Sequence, residues 1–416
     1  MSRFACTAIA CLGFVSMASA FAADNDQITV AALSTAHGKF RVVTPHAHLN
    51  GQAHARFGIP NIDSLVNFSD HYFADGYDAN GNPNREWYTN TVGNPPQMGR
   101  TTTINAPVVP VSLDLRNYDG SPRYVNGQRL YSDATQFVPL VMGSPVFQNS
   151  TYSSSSTPTQ FGDAVQRAEY YSKAKADWHT MLAGSVKTPR VMTLIRGTYL
   201  FALNPDGTCC AFVLVDANTF VNALFPAVAS DTTTPIGAAE NAGEVTTQDI
   251  STFLFPNTFL FDQTGCCTLG FHSYDFEPGD ASNGNVEKRY VVNYSSWISP
   301  GLFGPSFVDV TAHSHEVVET LNDPFVASDG VHNITPWWLA PNGNCQNDLE
   351  TGDVVEGLPG ATTPVTIGGF TYHPQSEALL PWFQFKSPSD AIGGAYSYPN
   401  TALLTQLSPV QKAGCQ

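Results

Sequence analysis

Along this chain the apolar positions gather in short runs rich in Val, Leu, Phe and Tyr, separated by long polar, turn-prone stretches. "APVVPVSLDL", "RVMTLIRGTYLFAL", "CAFVLVDA", "NTFLFDQ" and "KRYVVNYSSW" read as strands, because β-branched and aromatic side chains suit a pleated, half-buried surface. "TQFGDAVQRAEYYSKAKADWHTMLAG" has another rhythm. Ala164, Ala168, Tyr171, Ala174, Trp178 and Leu182 recur every three or four residues, which predicts one helix ended by Gly184. A second helix is predicted over "AHSHEVVETLNDPF", stopped by Pro324, which lacks an amide donor and disfavours helix in the residue before it. Residues 23–105 carry turns such as "DGYDANGNPNREW" but no sustained period, so they read as an irregular N-terminal arm whose aromatics can pack on the main body. The expected architecture over 106–416 is α+β, a mixed sheet with a few helices, loop-rich and disulfide-bonded.

The first residues change the picture of where this domain works. "MSRFACTAIACLGFVSMASAFAAD" has a basic start at Arg3, an uncharged apolar run and small residues at Ala18, Ala20 and Ala22, the pattern of a signal peptide over residues 1–22. The expected destination is secreted or periplasmic. No later stretch reaches the roughly 18 apolar residues that would span a bilayer. Losing Arg3 takes the formal charge from −16 to −17, which makes nucleic acid and anionic membranes poor partners. Six cysteines remain: Cys209, Cys210, Cys266, Cys267, Cys345 and Cys415. In an oxidising compartment they are expected to form disulfides. Sequence neighbours rarely bond each other, so the simplest scheme crosslinks "TCCAF" to "GCCTL" and Cys345 to Cys415.

Candidate chemistry centres on the second helix. "SHEVVE" departs from H-E-x-x-H in having Glu319 where a second histidine would stand. His315 and Glu319 are four apart and share a helix face, while Val317 and Leu321 point elsewhere. A metal on that face would meet imidazole and carboxylate, and needs at least one further protein ligand. "NGNCQNDLETGDVVEG" offers Glu350 and Asp353. Taken alone, H-E-x-x-E also fits a solvated helix whose histidine bonds a nearby acid. Asp323 before Pro324 reads as a turn cap or, with His272 and His373, as a residue that orients the ligands. His272 in "GFHSY" and His373 in "TYHPQ" are either structural histidines or donors that line the same cleft and orient the ligands. His179 is given no role. His46, His48 and His54 in the arm suggest incidental metal affinity without fixed geometry. There is no G-x-S-x-G elbow, phosphate loop or dinucleotide turn.

"SHEVVETLNDPF", "CQNDLETGD", "CCTLGFHS" and "TYHPQSEALLPWF" together resemble a family of secreted, zincin-like bacterial proteins that pairs S-H-E-x-x-E-x-x-N-D-P with a later E-x-G-D. The cysteine, "GFH" and "NDP" elements are more distantly similar to plant phosphate-induced EXORDIUM-type proteins. The resemblance runs from about Asp163 to the C-terminus. It implies His315 and Glu319 as ligands, Glu316 as general base, and Glu350 or Asp353 as third ligand. The ion implied is Zn²⁺, with Ca²⁺ or Mn²⁺ as harder alternatives, since two carboxylates acidify a bound water less than two histidines do. The function implied is a secreted metal-dependent hydrolase, peptidase-like, acting on peptide or another extracellular polymer. The alternative is a non-enzymatic extracellular or cell-wall protein in which the same residues form a structural metal site or a hydrogen-bond network.

Overall fold

The computed structural model describes residues 26–33, 46–47, 62–77, 82–263, 265–282, 284–326, 340–344 and 349–407. The segment 1–22, His48, His54, Cys345 and Cys415 lie outside them. The backbone is the expected mixture of helices and sheets. Its elements are β1 (Asn67–Tyr77), β2 (Pro83–Val92), β3 (Thr101–Arg116), α1 (Phe161–Glu169), β4 (His179–Val186), β5 (Arg190–Ile195), β6 (Tyr199–Leu203), β7 (Cys209–Asp216), α2 (Ala217–Leu224), α3 (Pro235–Asn241), β8 (Ile250–Pro256), β9 (Thr258–Asp262), β10 (Gly265–Thr268), β11 (Gly270–Glu277), β12 (Glu287–Trp297), α4 (Thr311–Asn322), β13 (Val365–Ile367), β14 (Phe370–Tyr372), β15 (Glu377–Ala378) and β16 (Ser397–Tyr398), with a few shorter pieces between them. No described helix is long and apolar enough to cross a membrane.

The main sheet runs β11–β12–β8–β3, antiparallel between β11 and β12 and parallel from β12 to β3. β3 is long enough to pair β4 along its first half and β5 along its second. Its burial changes accordingly: positions alternate from Thr101 to Ala106, then stay buried as the strand enters the middle of the sheet. Alternation across the sheet fills two cores. Phe253, Phe255, Phe271, Val292 and Tyr294 pack with Phe220 of α2 on one face. Leu254, Tyr274 and Val291 pack with Val317 and Leu321 of α4 on the other. His272, one residue from Phe271 and two from Tyr274 on β11, therefore belongs to the α4 face.

Three sequence expectations are corrected. The predicted helix to Gly184 ends at Glu169, and His179–Val186 is a strand instead. Tertiary bonds decide this: the Gln160 side chain accepts from Leu182 N (2.7 Å) and donates to Leu182 O (2.9 Å), and Asp163 accepts from Thr180 N (2.7 Å). These hold the chain beside β3, where strand pairing satisfies the backbone that a longer helix would have satisfied internally. Within the arm read as irregular, β1 and β2 form a hairpin. Trp87 is buried, and β2 packs against α4. The cysteines also pair differently, Cys209 with Cys210 and Cys266 with Cys267. In the second sheet, ordered β6–β7–β9–β10, strand β9 separates the two cysteine segments. Two strand spacings, about 9.5 Å, exceed the reach of a disulfide.

Candidate metal centre

α4 is buried on every side, so its polar residues must be satisfied by protein groups or by something they bind. The helix is pinned at its start by Asp309, which accepts from Val310 N (2.6 Å) and His373 N (2.9 Å) and faces His373 Nδ1 at 2.7 Å. His373 thus holds the helix N-terminus and does not join the cluster around His315. At the other end the chain leaves the helix at Asp323, just before Pro324.

Between these ends, His315 Nε2 lies 3.0 Å from Glu319 Oε2 and 3.4 Å from Asp353 Oδ1. Of the two acids proposed as third ligand, Asp353 is the one beside His315. Glu350 instead lies 3.8 Å from His272 Nδ1, which is also 3.4 Å from Glu319 Oε2 and 3.7 Å from Glu316 Oε2. All of these side chains are buried to 2% exposure or less. The ligand atoms form two compact groups, His315, Glu319 and Asp353, and His272, Glu316 and Glu319, within each of which all lie inside 4.8 Å of one another. The ion expected from the sequence has donors of the right kind here.

Neighbouring residues fix these donors. Glu319 Oε1 accepts from Gly352 N (2.9 Å) and Asp353 N (3.3 Å), leaving Oε2 to face both histidines. His272 Nε2 lies 3.1 Å from Asp323 O. A carbonyl can only accept, so Nε2 carries the proton and Nδ1 is turned to the acids. The contact is to the backbone of Asp323, not to its carboxylate. Gln375 Nε2 lies 2.9 Å from both His315 Nδ1 and Gly352 O. Gly352 O can only accept, so the amide nitrogen donates to both, His315 Nδ1 accepts and His315 Nε2 carries the ring proton toward Glu319 and Asp353. A cation on His315 Nε2 requires the amide turned over, its oxygen accepting from Nδ1–H and set against Gly352 O. Gly352 O keeps Val355 N and Glu356 N in either case.

Two glycines make room. A Cβ on Gly352 would lie 2.4 Å from His315 Nδ1, and one on Gly270 would lie 2.6 Å from Glu316 Oε1. The glycines of "ETGD" and "GFH" are places where a side chain of the cluster occupies the space.

Sequence reasoning assigned nothing to Gln375 or Glu377. Glu377 is buried, accepts from Thr351 Oγ1 (3.2 Å), and its other oxygen has no hydrogen-bond partner. "PQSEALL" contained both residues, but no spacing ties them to His315 some sixty positions earlier.

The electrostatics favour positive charge in the cluster. Among the described residues no lysine or arginine pairs with Glu316, Glu319 or Glu377. Burial raises the Glu316, Asp353 and Glu377 carboxyls above their ordinary range. Burial opposes ionisation of Glu319 as well, but His315 and His272 outweigh it and hold Glu319 low. Both imidazoles would lose affinity for a proton through burial, yet the adjoining carboxylates raise it, to about 10 for His272. His313 shows the contrast on the same helix: buried with no acid beside it, its pKa falls to about 3 and it stays neutral. Position by position, the cluster attracts positive charge, whether protons or a metal ion.

No family model, curated protein or solved structure matches this chain.

Proposed function

We propose that this chain is an exported metal-dependent hydrolase, peptidase-like, in which His315, Glu319 and Asp353 hold a divalent cation and Glu316 acts as general base. The observation that carries the reading is a spacing. Glu319 Oε2 and Asp353 Oδ1 stand 3.0 and 3.4 Å from His315 Nε2, close to the ~3.3 Å edge of a tetrahedron with bonds near 2.0 to 2.2 Å. Bound there, a divalent cation supplies Lewis-acid polarisation of a carbonyl and a more acidic water. Glu316 follows His315 in sequence without sharing its group of ligand atoms. Its carboxyl, raised by burial, is suited to take a proton and return it near neutral pH. His272, 3.7 Å from Glu316, is the neighbour able to steady the charge on that carboxylate. Export and the family resemblance make peptide or another extracellular polymer the substrate class.

One observation favours the second reading, a structural ion in a non-enzymatic extracellular protein: His315, Glu319 and Asp353 are each 1% exposed or less. A peptide must reach a catalytic ion, whereas a structural ion needs no access. The separating experiment is Glu316→Gln in the secreted protein, with metal content and cleavage of an unstructured protein substrate measured together. The hydrolase reading expects chelator-sensitive cleavage in the wild type, lost at least 100-fold in the variant while an ion is retained. Cleavage absent from the metal-loaded wild type, or unchanged in the variant, supports the structural reading.

A further inference from the structure

We propose that the cluster holds two divalent cations bridged by Glu319, the first on the His315 side and the second between His272, Glu316 and Glu319. This rests on the metal-binding reading above and extends it in stoichiometry, in giving His272 a direct part, and in making Glu316 a ligand of the second ion where the one-ion reading has it as a free base.

The starting point is Glu319. One oxygen is occupied by two backbone amides, Gly352 N and Asp353 N. The other, Oε2, faces His315 Nε2 at 3.0 Å and His272 Nδ1 at 3.4 Å. The two imidazoles fall in different ligand groups, and Glu319 is the member common to both. A carboxylate oxygen has two lone pairs, so one oxygen can serve both groups.

The His272 side has its own mark of a ligand. Nε2 is committed to Asp323 O, which leaves the Nδ1 lone pair directed at Glu316, Glu319 and Glu350 at 3.4 to 3.8 Å. His272 Nδ1 is buried without a hydrogen-bond partner, and so is Glu316 Oε1. Those separations are too wide for hydrogen bonds and match the distances between ligands that share an ion at about 2.0 to 2.2 Å. A lone pair surrounded by acids repels them unless a proton or a metal ion lies between.

Acids crowd both imidazoles: Glu316, Glu319 and Glu350 lie within 4 Å of His272, and Glu319 and Asp353 within 4 Å of His315. Carboxylate-bridged ions about 3.5 to 4 Å apart are an established arrangement for hydrolysis, in which paired ions stabilise the attacking and leaving oxygens.

The test is a metal count on the full secreted protein, with His46, His48 and His54 changed to Ala so that the arm contributes none. Metal-free protein is reloaded with Zn²⁺, desalted, and assayed for zinc per chain by mass spectrometry. Two equivalents are expected, falling to one in His272→Ala and in His315→Ala. One equivalent in the unmutated cluster overturns the second site and leaves the His315 reading standing; none overturns both. Two equivalents that persist in His272→Ala overturn the assignment to His272. Loading with Mn²⁺ checks proximity without any variant in the cluster. Two bridged ions give a spin-coupled paramagnetic spectrum, while the six-line signal of isolated Mn²⁺ overturns the bridge.

Discussion

α1 and α4 are both helices with no exposed face, and both carry charged residues into the interior, yet they use them in opposite ways. On α1 each polar side chain goes to a different neighbour. Asp163 accepts from Thr159 Oγ1 and Thr180 N and faces His179, Gln166 donates to Val92 O, and Arg167 donates to the carbonyls of Ser154 and Trp178. These bonds tie the helix to the hairpin and to β4. On α4, His315, Glu316 and Glu319 converge with acids from other segments on one small volume. Buried polarity by itself therefore says little. What marks a site is the convergence of acids and imidazoles on one buried volume where, among the described residues, no lysine or arginine pairs with Glu316 or Glu319.

That comparison is broken most directly by taking one acid from each helix. Glu319→Ala removes the carboxylate common to both ligand groups and is expected to abolish metal retention. It should cost about 3 to 5 kcal/mol, the order found when one member of a buried charged set is deleted. Asp163→Ala is expected to cost about 3 kcal/mol through unsatisfied donors on Thr180 and Thr159, with metal content unchanged. Denaturant unfolding with and without EDTA checks both. EDTA should weaken wild type and Asp163→Ala alike and leave Glu319→Ala unmoved. Equal EDTA sensitivity in all three proteins would mean that the metal sits elsewhere.

A smaller change sharpens the same contrast. Gly352→Ala adds a single methyl group 2.4 Å from His315 Nδ1 and 2.8 Å from Glu377 Oε2. Its expected effect is about 1 to 3 kcal/mol of overpacking and a loss of metal affinity larger than the stability loss suggests, because the ring must turn. Metal titration alongside thermal unfolding separates the two effects. If affinity is unchanged, the position of the His315 ring does not matter to the ion.

The site was partly legible because part of it is local. His315 and Glu319 lie one helical turn apart, a spacing that sequence alone turns into a shared face, and Pro324 ends that helix as its chemistry requires. The acids of "ETGD" could be offered as candidates, but choosing Asp353 for His315 and Glu350 for His272 needed the path of the chain between them. Gln375 and Glu377 were invisible: they precede or begin the two-residue strand β15, whose orientation is set by pairing with β16 more than by local pattern. The fold failed where tertiary bonds outvoted periodicity. Tyr171, Ala174, Trp178 and Leu182 have helical spacing, yet Arg167 takes the carbonyl of Trp178 and Gln160 takes both backbone groups of Leu182. The vicinal cysteines failed for a similar reason, since strand order is not a local property.

One residue of α1 tests the comparison by pH. Glu169 ends the helix fully buried, accepting from Asn322 Nδ2 (3.2 Å) at the end of α4 and from Leu380 N (3.4 Å). It touches none of the clustered acids, and burial raises its pKa to about 8, against which the two donors work only in part. Between an ordinary carboxylate pKa near 4.3 and about 8, the native state holds a proton that the unfolded chain has released. Fewer protons on the unfolded state mean that stability falls as pH rises through this window, and the contribution of the protonated form is fully present only below it. Glu169→Gln keeps an acceptor for Asn322 and Leu380 but cannot ionise. It should therefore gain on wild type as pH rises, by roughly 4 kcal/mol at pH 9 relative to pH 5. Unfolding at a series of pH values, with metal content followed in parallel, gives the answer. A gain that grows with pH while metal content stays level confirms Glu169 as an acid of the frame, whereas a fall in bound metal would join the two helices into one electrostatic unit and end the distinction drawn between them.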